Sequence, residues 1–393
     1  MKPILSVILT AGISLAGLLQ TTPATASQKA PDAIVEPYAG QVVCLPGAYL
    51  IEAPDCLPLG PSETLTGLAE KGIPYPPIPI PAVKPDAALN QNDIKYARIN
   101  LPAHERAPIF ATLDDAILGE FPIGYIRAGN GLRYVSYDQR TSHNGGSYVM
   151  LKSKGWMRAS PATTSSTFQG LLFRRPPQVS IGWIIKDTKP RQAPSYQAPE
   201  NDKLLPRESV VQIYDVIQVG DTQWYMIGLN EWVDRYAIRQ LVVNTSPPEG
   251  VDNQRWIEIN LYEQILSVYE DNQLLFATVI ATGVEPYYTR PGLFKIYERK
   301  PIENMSGAFE ADRSDYYHLE GVPWTMYYDK ARALHGAYWR AWFGVPQSHG
   351  CVNLSVGDSR WVYDWAKVGD WVYVWDPSGE TPIDPSLYTD GGA

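Results

Sequence analysis

The chain has 393 residues, long enough for two or three domains. Apolar residues make up 45% and aromatics 11%, with 12 Trp and 25 Tyr, which excludes global disorder and suits β-rich domains with aromatic surfaces. A formal net charge of -9, with no strong Lys/Arg cluster to offset it, argues against nucleic acid as a partner.

Residues 1–26 read as an export signal. Lys2 opens it, an apolar run spans Ile4 to Leu19, and Ala24-Thr25-Ala26 supplies small residues at cleavage spacing. The rival reading is an uncleaved anchor, against which Gly12 and Gly17 interrupt the run. No other segment is apolar enough to cross a bilayer. Residues 27–90 form a Pro-rich segment, extended where it reads GIPYPPIPIP at 72–81. Cys44 and Cys56 lie twelve apart within it and are expected to form a small disulfide loop in an oxidising compartment. Two free thiols are the alternative. Cys351 is then left over, and an unpaired thiol in an exported chain calls for a reason such as reactivity.

From 91 to 180, and again from 181 to 242, short apolar runs alternate with turn residues such as His143-Asn144-Gly145-Gly146 and Gly220-Asp221. The two regions share a weak repeat, in which a turn leads to an aromatic strand, a second turn and a Trp-started strand. Tyr148 to Trp156 matches Trp224 to Trp232. These regions resemble bacterial SH3-like modules, small β-barrels. Trp156 and Trp232 fit core or rim packing better than a ligand groove, and of Trp224 and Tyr225 at most one can line a groove. Residues 243–252, NTSPPEGVDN, mark a linker.

Beyond it, strands are expected at Trp256–Leu261, Ile265–Tyr269, Leu274–Ala281, Gly292–Tyr297 and Trp371–Trp375. One short helix is expected from Asp358 to Val368, with Trp361, Val362 and Trp365 on one face. The stretch 298–330 is polar and aromatic without a long core pattern, and reads as a flap over a substrate. Residues 377–393 read as a flexible tail.

The chemistry gathers at Leu334-His335-Gly336 and at Ser348-His349-Gly350-Cys351-Val352-Asn353, with the two histidines fourteen residues apart. A thiol becomes a nucleophile when an imidazole takes its proton or stabilises the thiolate. Flanking glycines let the backbone approach a substrate, and a turn of N–H groups can hold an oxyanion. Two other readings stand beside this one. His335, His349 and Cys351 with His318 or Asp329 could bind zinc, although no second cysteine supports a thiolate set. Cys351 could also be an inert core cysteine.

The SHGCVN word and its setting resemble the L,D-transpeptidase catalytic domain, the YkuD domain, over about residues 254–375. The resemblance rests on VIATG at 279–283, Thr289-Arg290-Pro291-Gly292, the His335-Gly336 pair, SHGCVNL at 348–354 and Val368-Gly369-Asp370-Trp371-Val372. It implies a mostly β fold: a β-sandwich or mixed β catalytic domain at 253–376 with one short helix, preceded by two SH3-like barrels. It implies Cys351 as nucleophile and His335 as the base that pairs with it. The Gly336 carbonyl would orient the imidazole, and His349 would shape the site. Gly350 and Cys351 would offer N–H groups to the oxyanion. Ser348 and Asn353 would hold the turn or meet substrate, and Tyr317 or its neighbour Tyr316 would contact substrate. Arg290 departs from the family's usual turn.

The implied reaction is two acyl transfers. The thiolate attacks the carbonyl after the third residue of a tetrapeptide stem, terminal D-alanine leaves, and an amine from a neighbouring stem resolves the thioester into a 3→3 cross-link. Water as acceptor would make an L,D-carboxypeptidase, and an inactivated wall-binding protein is a further alternative. No metal or organic cofactor is implied. The partners implied are peptidoglycan stem peptides, with possible wall-glycan contact through the modules. The chain is read as an exported monomer of the cell wall. The modules are expected to be dispensable for chemistry, so that a chain begun near residue 250 still acylates.

Overall fold

The computed structural model describes residues 61–152, 154–162 and 169–388. The export signal and the Cys44–Cys56 pairing therefore lie outside the described residues. Two compact units divide the chain, Met1–Ser62 and Glu63–Ala393, and the following concerns the second. It is mostly β. No helix among the described residues is long and apolar enough to cross a membrane.

Two sheets face each other across the C-terminal region. The first runs in the spatial order Ala82–Val83, Leu171–Phe173, Gln273–Val279, Ile265–Glu270, Arg255–Asn260, Trp371–Trp375 and Gly292–Lys295. The second begins with Val352–Leu354, Arg332–Gly336 and Tyr317–Asp329. Period-two alternation sends one set of side chains inward from each sheet. Ile257, Ile259, Val268 and Phe276 from the first meet Met326, Leu334, Val352 and Leu354 from the second, with Val362 of the helix. That helix spans Val356–Trp365, two residues earlier than the periodicity suggests, because Ser355 caps it by accepting the Asp358 N–H.

The stretch 298–330 is not a loose cover. Strands Glu298–Gly307 and Tyr317–Asp329 form a long hairpin, and Val322, Met326 and Tyr328 are buried. Its polar residues lie largely on the first strand, which hid the buried pattern of the second.

The region before residue 254 holds two small antiparallel assemblies. In the first, Arg133–His143 pairs with Lys95–Arg98 and Gly146–Leu151, and also lies parallel to Tyr317–Asp329, so its strands extend the second sheet. The second has Ser180–Ile184 between Val210–Ile213 and Ile238–Gln240, and Thr222–Gly228 between Asp215–Val219 and Glu231–Asp234. Trp224 and Tyr225 are both buried, so neither lines a groove.

One core crosses the 243–252 segment. Leu171, Phe173, Ile181, Trp183 and Leu241 pack with Trp256, Tyr269, Leu274 and Phe343, and Val243 and Val251 lean on the same cluster. Leu171–Phe173 pairs directly with Gln273–Val279. Asp358 secures this arrangement, accepting the Gln169 and Gly170 N–H groups and the Thr278 hydroxyl.

Candidate active site

The Ser348–Cys351 turn is held by its own side chain and by two neighbours. The Ser348 hydroxyl donates to the Cys351 carbonyl at 2.6 Å and accepts the Gly350 N–H at 3.1 Å. Gly350 sits at φ +119°, which favours glycine, and a Cβ there would come 3.1 Å from Arg332 Nε and press on that side chain. From the other side, Thr289 Oγ1 donates to the Gly350 carbonyl and accepts the Gly283 N–H, both at 2.9 Å. Arg290, the departure from the family's turn, pairs with Asp329, which also receives Arg332 Nη1 at 3.2 Å.

Cys351 is fully buried. Its sulfur receives the Ala333 N–H at 3.4 Å, and the thiol is directed at the Ala331 carbonyl at 3.8 Å. Burial pushes this thiol up to about 11, with the Ala333 N–H and the Arg332 charge pulling the other way. Neither imidazole hydrogen-bonds the sulfur here. The pairing of Cys351 with His335 that the sequence suggests is therefore not formed in this state, in which the backbone of 331–333 holds the thiol. The Gly350 N–H is likewise occupied by Ser348, which removes it from the oxyanion donors in this geometry.

His335 lies on the strand Arg332–Gly336, parallel to Val352–Leu354 and in register with Asn353. Leu334, Val352 and Leu354 enter the core, so alternation turns His335 and Asn353 to the opposite face. His335 Nδ1 lies 3.4 Å from the Gly336 carbonyl, and Nε2 is buried without a partner. Burial pushes this imidazole down to about 4, so it is neutral at pH 7. With Nδ1 carrying the proton, the Nε2 lone pair is open for a base. Trp339 stands 5.7 Å from it, ring to ring.

His349 is set in an aromatic stack. Its ring lies 4.6 Å from Phe309 and 4.7 Å from Tyr287, and Tyr317 follows at 6.5 Å. Burial lowers its pKa. Beside it opens a cavity of about 300 Å³, lined by Ser348, His349, Asn353, Tyr317, Trp339 and Arg340 and closed by Asn130–Leu132. Tyr317 enters this cavity, whereas Tyr316 turns toward the first assembly and packs against its core. A larger groove of about 590 Å³ lies against the second assembly, but it includes neither motif histidine, whereas the smaller one is lined by His349. Chemistry, not volume, selects the smaller one.

The zinc set does not assemble. His318 pairs with Glu320 and Asp329 with two arginines, and among the described residues no three His, Cys, Asp or Glu side chains converge on a metal position. The last residues are not loose throughout, since Tyr388 is buried with Arg332 Cζ 5.4 Å from its ring centre. Sequence reasoning missed Trp339, Arg340, Phe309 and the 130–132 wall. Trp339-Arg340 follows the His335-Gly336 pair closely, a local signal, while Phe309 and the wall reach the site only through the hairpin's fold.

Residues 254–374 match the family model YkuD, the L,D-transpeptidase catalytic domain. YciB of Bacillus subtilis (strain 168), assigned to the L,D-transpeptidases, is 22% identical over 135 residues, 30% of this chain and 63% of that protein. The chain thus spans just under two thirds of the curated relative it matches. The crystal structure of an L,D-transpeptidase (Yku) from Stackebrandtia nassauensis is 26% identical, covering 35% of this chain and 63% of the other, with a TM-score of 0.27. The NMR structure of the catalytic domain from the E. faecium L,D-transpeptidase is 22% identical, covering 32% and 100%, with a TM-score of 0.28.

Proposed function

We propose, for a chain whose residues 254–374 are a YkuD-type L,D-transpeptidase catalytic domain, that it cross-links peptidoglycan stem peptides through a thioester on Cys351. The observation that carries this reading is the fixed Ser348–Cys351 turn beside a cavity that His349, Tyr317 and Asn353 line. For acylation the thiol leaves the Ala331 carbonyl and meets the neutral His335. His335 Nε2 takes the proton, and sulfur adds to the carbonyl after the third stem residue. The C–N bond then breaks. His335 returns the proton to the departing amine, and D-alanine leaves. A stem amine attacks the thioester in the second half, forming the 3→3 bond and releasing the thiol.

His349 holds the shape of the cavity through its ring stack, and Asn353 offers an unpartnered Oδ1 at the same wall. The two small assemblies, which we read as SH3-like, place the enzyme against the wall of the cell that exports it. The test is incubation with purified muropeptides and product analysis by mass. Dimers joined 3→3 with release of D-alanine are expected. Trimmed tripeptides without dimers would assign water as the acceptor, and a folded protein that leaves every muropeptide intact would end the reading.

A further inference from the structure

The cavity contains a half-buried positive charge that no carboxylate pairs with among the described residues. Arg340 lines it with His349, and its charge adds to the burial that lowers the pKa of His349 and of His335. Several arginines of this region do have carboxylate partners, with Arg290 and Arg332 sharing Asp329, Arg255 on Asp370 and Arg235 on Glu263, whereas Arg299 and Arg239, like Arg340, form no ion pair among the described residues. Among the described residues no carboxylate forms an ion pair with Arg340. Burial lowers its own pKa to about 10, with no anion to raise it again. Burying a charge without a partner is costly, and an orphaned donor on it is a position that a ligand oxygen can complete.

The guanidinium shows which side of it remains open. Nη1 donates to Gln347 Oε1 at 2.7 Å and Nη2 donates to the Gln347 carbonyl, so neutral oxygens occupy the end-on edge. Nε is buried without a partner, and Nη2 keeps a second hydrogen on the same side. That edge is a planar two-donor fork, which matches a carboxylate held by both oxygens. Gln347 fixes the plane of the group and so pre-orients the fork.

Resting on the acyl-transfer reading above, we propose that the Nε–Nη2 edge of Arg340 binds the C-terminal carboxylate of the donor stem peptide. The attacked carbonyl belongs to the residue before the last, so the carboxylate carbon lies one residue further on, about 3.8 Å in an extended chain. The cavity that Arg340, His349 and Asn353 share adjoins the turn that carries Cys351 through Ser348 and His349. The fork selects stems that end one residue past the scissile bond. A carboxamide terminus or an added residue removes the charge it recognises.

The test uses the full chain and two synthetic tetrapeptide donors that differ only at the end, one a free carboxylate and one a carboxamide. Acylation of Cys351 is followed by intact mass. The native chain should prefer the carboxylate by about tenfold or more, in line with a charge-assisted pair. Arg340→Gln should bring the preference to within about twofold by slowing the carboxylate donor. Arg340→Lys keeps the charge but not the fork, and should raise KM for the carboxylate donor about fivefold while retaining part of the preference. Should Arg340→Gln fold poorly, the lysine variant decides alone, since an unchanged KM there would overturn the proposal. A native-like preference in Arg340→Gln, or no preference in the native chain, would also overturn it. Acylation by neither donor would instead remove the cysteine reading, and this proposal with it.

Discussion

The two assemblies ahead of residue 254 share a sequence pattern yet join the catalytic region differently. The first is continuous with it through the backbone. Arg133 and Tyr134 pair with His318 and Leu319, and Asn130 and Gly131 donate N–H groups to Ser314 and Tyr316 carbonyls. The second joins through side chains. Arg235 reaches the Tyr262 carbonyl, Arg239 donates to the Gly344 carbonyl at 2.6 Å, and Trp183 packs on the back of the first sheet. The first thus builds a wall of the candidate site, and the second supports a sheet and leaves a groove. A repeated local pattern specifies the small fold; the residues outside it decide what each copy is for.

Removing both assemblies is the strongest way to break this comparison. A chain begun at residue 250 would expose Trp256, Tyr269, Leu274 and Phe343, which now pack on Leu171, Phe173 and Trp183. Each large side chain is worth roughly 1.5–3 kcal/mol on full exposure, so the four together are comparable to the roughly 5–15 kcal/mol by which domains are stable. Such a chain should show no cooperative melt, contrary to the dispensability that the linker composition suggests. A sharp melt with retained acylation would show instead that the assemblies are mere appendages.

Neither assembly carries the base, so His335→Gln should leave the fold's melting temperature near native and remove the chemistry. Acylation near pH 7 should fall about 100-fold or more. His335 stays neutral until pH nears its folded value of about 4, so the native rate should stay flat from pH 8 to about 5. The variant depends on thiolate alone, and with the thiol near 11 its rate should climb about tenfold per pH unit. His349→Gln should lose about tenfold, through the ring stack. The opposite ranking of the two variants would reverse their roles.

Gly131→Val separates the assemblies at the site itself. A Cβ at this position would lie 2.6 Å from the Asp315 and Tyr316 carbonyl oxygens, and would push back the hairpin end that carries Phe309 and Tyr317. Acylation should fall about tenfold, since displacement of a positioning wall of this size is costly. Tyr236→Ala, in the groove of the second assembly, should stay within about twofold of native. Equal losses from the two changes would erase the distinction.

Glu320→Gln should have the smallest effect, and on stability alone. Burial by itself would raise this carboxyl, but His318, Lys154 and the Ser136 N–H outweigh it and hold it at about 2. Because the folded value is depressed below the usual 4.5, the stabilisation is present above that pH and is lost as pH falls through about 2. The variant should lose about 1–3 kcal/mol at pH 7 and show a weaker acid decline in chemical denaturation. An identical acid decline in both proteins would show that the contacts of Glu320 with Lys154 and Ser136 of the first assembly do not contribute to stability.

What was legible in the sequence was local. Alternation at 256–261 and 371–375 gave strands, and Trp361, Val362 and Trp365 gave the helix face, with its start hidden because the Ser355 cap precedes a glycine and a valine. The SHGC word located the nucleophile candidate. Pairings made at long range were not legible, such as Arg133 with His318 or Leu171 with Ala277. Nor was the orientation of the thiol, which depends on how the backbone of 331–333 passes the turn. The unbalanced charge of Arg340 is a property of its surroundings, and a sequence does not show which arginines lack a carboxylate in space.

The most direct measurement is the intact mass of the full chain after brief exposure to a tetrapeptide stem, followed by peptide mapping. The account predicts a tripeptide acyl adduct on Cys351, loss of the terminal residue to solution, and no adduct in a folded Cys351→Ala chain. An adduct on another residue, or cross-linked product formed by Cys351→Ala, would contradict it.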